Sequence, residues 1–120
     1  MMTTKQAKLA IGMFDSMLQR WRGPRSWTQG ADARGVDGHS CVSKSEMASC
    51  WCVSGNFSAC ARGDCAAQDE AWAELGKATE KMTDGKLDDP VAFNDDCGTH
   101  KKDMVNLVKM ARQHCVDLLK

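Results

Sequence analysis

Residues 43–62 read SKSEMASCWCVSGNFSACAR, a stretch that carries Cys50, Cys52 and Cys60, with Cys65 just beyond. Whether these thiols ligate a metal, form disulfides, react, or only fill a core decides the fold. Ser43 followed by Glu46 is a capping box, and it predicts a helix from about Lys44 to Arg62. On a helix each residue advances about 100°, so Cys50 and Cys52 point to nearly opposite sides and share no ion. Zinc sites use C-x2–4-C pairs repeated at a distance, and the spacing here is different and lacks a matching histidine pair. The helical frame makes better use of the residues. Met47, Cys50, Ser54, Phe57 and Ala61 form one stripe, while Ala48, Cys52, Gly55 and Ala59 form a second, made only of small residues, with Asn56 at its edge. The spacing therefore predicts a helix buried on two sides, with reduced cysteines packing as small hydrophobes.

Outward from this segment, Thr3 and Gln6 form another capping box. Ala7, Ala10, Ile11, Phe14, Leu18 and Trp21 follow every three or four residues, the period of a helix that buries one face. Gly23-Pro24 ends it. Periodicity disappears between Pro24 and Val42, where Asp37-Gly38 is a hairpin signal that pairs Ala33–Val36 with His39–Val42. After Gly63, Asp64 caps a third helix with Ala67, Ala71, Leu75, Ala78 and Met82 on its buried face. Asp84-Gly85 closes that helix, and Asp88-Asp89-Pro90 starts a short helical turn. Thr99 caps a last helix whose stripe is Met104, Leu107, Val108, Ala111, Cys115, Leu118 and Leu119. The expected fold class is mainly α: a compact single domain of four helices, with a Gly-rich loop or short β-hairpin between helices 1 and 2.

Composition narrows function. With 120 residues, 16 Lys+Arg and 16 Asp+Glu, the chain has one domain's length and no net charge. No bulk field draws it to nucleic acid or to anionic lipid. No apolar run approaches the ~20 residues that span a bilayer, and Asp15 cuts the only signal-like segment short. Without an export signal the thiols belong in a reducing cytoplasm, and seven cysteines cannot all pair within one chain. There is no nucleophile elbow, H-E-x-x-H, phosphate loop or GxGxxG, so the expectation is a protein without cofactor, metal or catalytic activity.

Certain motifs come in a recognisable order. Trp27-Thr28-Gln29-Gly30, a glycine-rich Ala33–Gly38 segment, Trp51-Cys52-x-x-Gly55 and Phe93-Asn94-Asp95, then Gly98-Thr99 and a helix, resemble DUF6197, a small bacterial and phage family of unknown function. Its pattern reads roughly W-T-x-G, W-C-x-x-G-A and W-N-D before a terminal amphipathic helix. Asn56 stands here in place of the alanine, and Phe93 in place of the tryptophan. The resemblance covers most of the chain from Trp27 onward and implies an intracellular protein of bacterial or phage origin, with no reaction or ligand attached.

Two groups of residues are candidate sites. Arg22, Arg25, Trp27 and Arg34 interleave arginine with tryptophan, the residue types that anchor protein interfaces; equally, Trp21 completes a core stripe and the arginines lie in water. With Arg20 just before them, the four arginines are thin for nucleic acid in a neutral chain. Asn94, Asp95, Thr99, His100 and Lys101 surround the start of the last helix, where free amides hold a phosphate or carboxylate. The competing reading is that Asn94 and Asp95 satisfy turn amides. A third, dispersed set (His39, Cys41, Cys97, His100, His114 and Cys115) would bind metal only if the fold gathered it. The functional expectation is a non-catalytic binder of a protein, such as a phage accessory or anti-defence factor acting on a host protein. The alternative is a binder of a small anion or nucleotide messenger at the last helix.

Overall fold

A computed structural model describes residues 2–120. In chain order it has α1 (Thr4–Arg20), β1 (Ala33–Arg34), β2 (Ser40–Cys41), β3 (Cys50–Trp51), α2 (Val53–Cys60), α3 (Cys65–Met82), α4 (Pro90–Asp95) and α5 (Lys101–Leu118). The fold is mainly helical, with five helices and a small antiparallel sheet of order β2-β1-β3. The short turn at Pro90 counts as a helix of its own, and the hairpin has gained a third strand.

Local chemistry sets most helix ends. Thr3 and Gln6 exchange two bonds at the start of α1, Thr3 Oγ1 accepting from Gln6 N at 3.1 Å and Gln6 Oε1 from Thr3 N at 2.9 Å. Asp64 caps α3 through Ala67 N at 2.9 Å. Asp89 caps α4 through Val91 N at 3.0 Å, with Pro90 in the first position, where its missing N–H costs nothing. The last helix begins one residue later than expected. His100 is its cap, with Asp103 accepting from His100 N at 2.8 Å, and Thr99 is buried just outside.

The core lies where α1, α3 and α5 meet, with α2 packed on α1. From α1 it takes Ala7, Ala10, Met13, Phe14, Met17 and the following Trp21. Ile11 and Leu18, expected on this face, are only partly buried. The buried arc is turned toward Met13 and Met17 because α1 is covered by α2 and α3 as well as by α5. Helix α5 contributes Met104, Leu107, Val108, Ala111 and Cys115, while Leu118 and Leu119 at its end are exposed.

The expected helix over residues 44–62 is the main correction. Only Val53–Cys60 is helical. Upstream, the backbone is spent on other partners: Ser49 N donates to Arg34 O at 2.8 Å, Trp51 N to Ser26 O at 2.9 Å and Cys52 N to Asp32 O at 3.1 Å. Ala33 lies opposite Cys41 on one side and Trp51 on the other, and Arg34 opposite Ser40 and Cys50. Serine and cysteine are weak helix formers, so a capping signal at Ser43 and Glu46 does not outweigh strand partners supplied from residues 26–34. The two-stripe face made of Met47, Cys50, Ala48 and Cys52 does not exist, and Met47 is exposed. Asn56, expected at an edge, is fully buried; its Nδ2 donates to Met17 O at 3.0 Å and its Oδ1 accepts from Cys60 Sγ at 3.5 Å.

Candidate functional site

Cys52, the N-cap of α2, shows how the centre of the molecule is assembled. Its sulfur accepts from Gly55 N at 3.4 Å, a thiol in the place where serine or aspartate usually sits. Asn94 Oδ1 takes the next free amide, Val53 N, at 3.0 Å. Gly55 is required by the backbone that crosses it, since a Cβ there would lie 1.9 Å from the Asp32 carbonyl oxygen. The W-C-x-x-G stretch thus has a strand residue, a thiol cap and a glycine under a crossing backbone.

Asn94 also joins the two regions singled out in the sequence. Its Oδ1 accepts from Trp27 Nε1 at 2.8 Å, and its Nδ2 donates to Thr28 O at 3.1 Å and to Asp95 Oδ1 at 3.0 Å. Gln29 Nε2 donates to Asn94 O at 2.8 Å and to Asp96 O at 2.9 Å, and Gly30 N donates to Asp95 Oδ1 at 3.0 Å. Residues 27–30 and 94–96 form one clasp. Asn94 and Asp95 are engaged with backbone and with each other here, the turn-bonding role open to them from sequence. Lys101 Nζ reaches back to Gly23 O at 2.5 Å, which brings the start of α5 beside the arginine loop. His100 is exposed there.

The arginine loop divides into buried or half-buried braces and exposed groups. Trp21 is buried, and its Nε1 donates to Trp51 O at 3.1 Å; Trp27 is half-buried and tied to Asn94. Arg34 bonds to Thr28 Oγ1 at 3.2 Å, Gly38 O at 3.1 Å and Gln29 O at 3.4 Å, so it braces the ribbon. Arg20 stacks 4.5 Å over the Trp51 ring. Arg22 and Arg25 are exposed, Arg22 donating from Nη1 to Gln19 Oε1 on α1 at 3.1 Å, and Arg25 has a φ of 58°. That left-handed backbone costs a non-glycine residue roughly 1–2 kcal/mol. Ser26 Oγ donates to Gly23 O at 2.6 Å and helps to hold the loop in this form.

All seven cysteines are free thiols. Burial pushes Cys52 up, helped by the Asp32 and Asp95 carboxylates and opposed by the Gly55 and Ser54 amides. Burial also raises Cys60, against the pull of Arg20 and Arg62. Cys115 is pushed up to about 11, first by burial and then by the Glu74 charge. A thiol held protonated is a poor nucleophile, so these three are packing groups at neutral pH. The dispersed His and Cys residues are not gathered: among the described residues no group of three or more His, Cys, Asp or Glu could hold a metal ion. Nor is any described helix long and apolar enough to cross a membrane.

Sequence reasoning missed one arrangement. Glu74 sits on the buried stripe of α3 with Ala71, Leu75 and Ala78, its side chain 3% exposed. Its carboxylate pairs with His114 Nδ1 on α5 and with Lys77 Nζ at 3.2 Å. The available signal was a charged residue at a position that the helical period makes apolar.

No curated protein and no solved structure matches the chain. The model of one family, a family of unknown function called DUF6197, matches residues 17–114, a span that holds the arginine loop, the sheet, the thiol-capped helix and both halves of the clasp; the chain belongs to that family.

Proposed function

We propose that this protein is a non-catalytic binding module that grips a protein partner through Arg22 and Arg25. The observation that carries the reading is the loop itself. Residues 22–25 are all exposed, yet the segment is fastened by Trp21 to Trp51, by Ser26 and Lys101 to Gly23, and by Trp27 to Asn94. Backbone strain at an exposed arginine in a braced loop supports a pre-organised contact, because order established before binding is not lost on binding. Arginine is also among the residues that dominate interface energies. The exposed His100 and Lys102 border this loop through the Lys101–Gly23 bond and extend the face. In this reading the protein acts in the cytoplasm, as a phage accessory or anti-defence factor that occupies a host protein.

The test compares immobilised wild type with an Arg22→Glu/Arg25→Glu variant in bacterial lysate. A stoichiometric protein held by the first and lost from the second is the expected outcome. Retention by both, or by neither, overturns the reading. The alternative, a small anion held at the start of α5, rests on His100 and Lys102, because Asn94, Asp95 and Lys101 already serve the clasp and the loop. A nucleotide that raises the melting temperature of wild type, and fails to do so in His100→Ala, would favour it.

A further inference from the structure

Between α3 and α5 runs a groove of about 770 Å³, a volume in the range of small-molecule sites. Ala78 and Ala111 are buried at its base, and Lys81, Lys109, Met110 and His114 stand around it. Glu74 lines it as well. A carboxylate on a buried helical stripe is costly compared with an apolar residue of similar size, and residues kept at such cost mark candidate sites. Here the carboxylate holds His114 through Nδ1, which orients the ring across the helix pair. Ring atom Nε2 has no partner among the described residues. Lys81 and Lys109 are likewise without an acidic partner among the described residues, while Lys77 is taken by Glu74 and Asp117 by Gln113 and Lys120. Glu80 is the single acid on the rim with no such partner, so the free ammonium groups outnumber it.

We infer that this groove is a second binding site, independent of the arginine loop, for a small organic anion that has an apolar body and a hydroxyl group. The anionic end meets Lys81 and Lys109, the body lies on Met110, Ala78 and Ala111, and the hydroxyl bonds Nε2 of His114. A hydroxyl both donates and accepts, so it suits that nitrogen in either protonation state. Glu74 is a positioning residue for His114.

The experiment is an NMR titration that follows the Met110 methyl and the His114 ring protons. The probes are 4-hydroxyphenylacetate, phenylacetate and tyramine, which share one apolar body and differ in hydroxyl and charge. The expected result is a saturable shift with 4-hydroxyphenylacetate, weaker binding of phenylacetate and no shift with tyramine. In the Lys81→Glu/Lys109→Glu variant, both positions being exposed, affinity for the hydroxylated anion falls about tenfold or more, the size of one lost charge-assisted bond. Arg25→Glu leaves it unchanged, which separates this site from the partner loop. Absence of a saturable shift, equal shifts with tyramine, or no change in the double variant would overturn the assignment.

Discussion

Gly55→Ala probes the crossing on which the centre of the molecule depends. The added Cβ would stand 1.9 Å from Asp32 O, 2.6 Å from Asp32 C and 3.0 Å from Asp32 Cα. Bringing the first distance to a tolerable 3.0 Å requires α2 and the Asp32 backbone to separate by 3.0 − 1.9 = 1.1 Å. The obstacle is backbone, and that carbonyl also accepts from Cys52 N at 3.1 Å, so moving it breaks the bond. Overpacking of this kind costs about 3 kcal/mol at the upper end. A buried amide left unpaired adds about 2 kcal/mol. Alanine's better helix propensity returns about 1 kcal/mol. The expected loss is about 4 kcal/mol, which for a chain of this size lowers the melting temperature by roughly 15 °C. Thermal and urea unfolding followed by circular dichroism measure it, with Gly23→Ala as control, since nothing lies within 4 Å of a Cβ there. A Gly55→Ala protein within about 1 kcal/mol of wild type would refute the close approach and the thiol-capped start of α2 with it.

Asn94→Ala removes an acceptor shared by Trp27 and Val53 and a donor to Thr28, and leaves buried partners unpaired. It should cost about 3 kcal/mol in urea unfolding, with the tryptophan fluorescence transition moving to lower denaturant than in wild type. Stability should also fall at high pH because of Cys115. Its folded pKa of about 11 exceeds the ordinary 9.0, so the folded state favours the protonated thiol. That contribution is complete below pH 9 and is lost as pH rises toward 11, by at most about 3 kcal/mol. Cys115→Ala should flatten this alkaline slope, and an unchanged slope would show that the thiol is not its source.

Much of the helical frame was legible because its signals are local. Thr3 with Gln6, Asp64, and Asp89 with Pro90 satisfy amides within three residues, and chemistry at that range is written in adjacent letters. The period of Met104, Leu107, Val108, Ala111 and Cys115 likewise needs no partner to be read. Residues 43–52 were misread for the converse reason: the capping pair is local, but the groups that win the backbone sit in residues 26–34, and no spacing in the stretch names them. Both candidate sites were chosen on residue type. Trp27 and Asn94, placed in separate candidates, bond one another across 67 positions, and Arg34, chosen as a partner contact, also braces the ribbon.

What the sequence by itself determined, then, is where α1, α3 and α4 begin, the start of α5 to within one residue, the apolar stripe of α5, and which family the chain belongs to, since each depends on neighbours along the chain or on motif order. Only the tertiary structure decided that Cys52 caps a helix, that Gly55 sits beneath Asp32, and that Glu74 meets His114. Those depend on which distant backbone and side-chain groups arrive together, and a buried polar group accepts whichever partner the packing delivers.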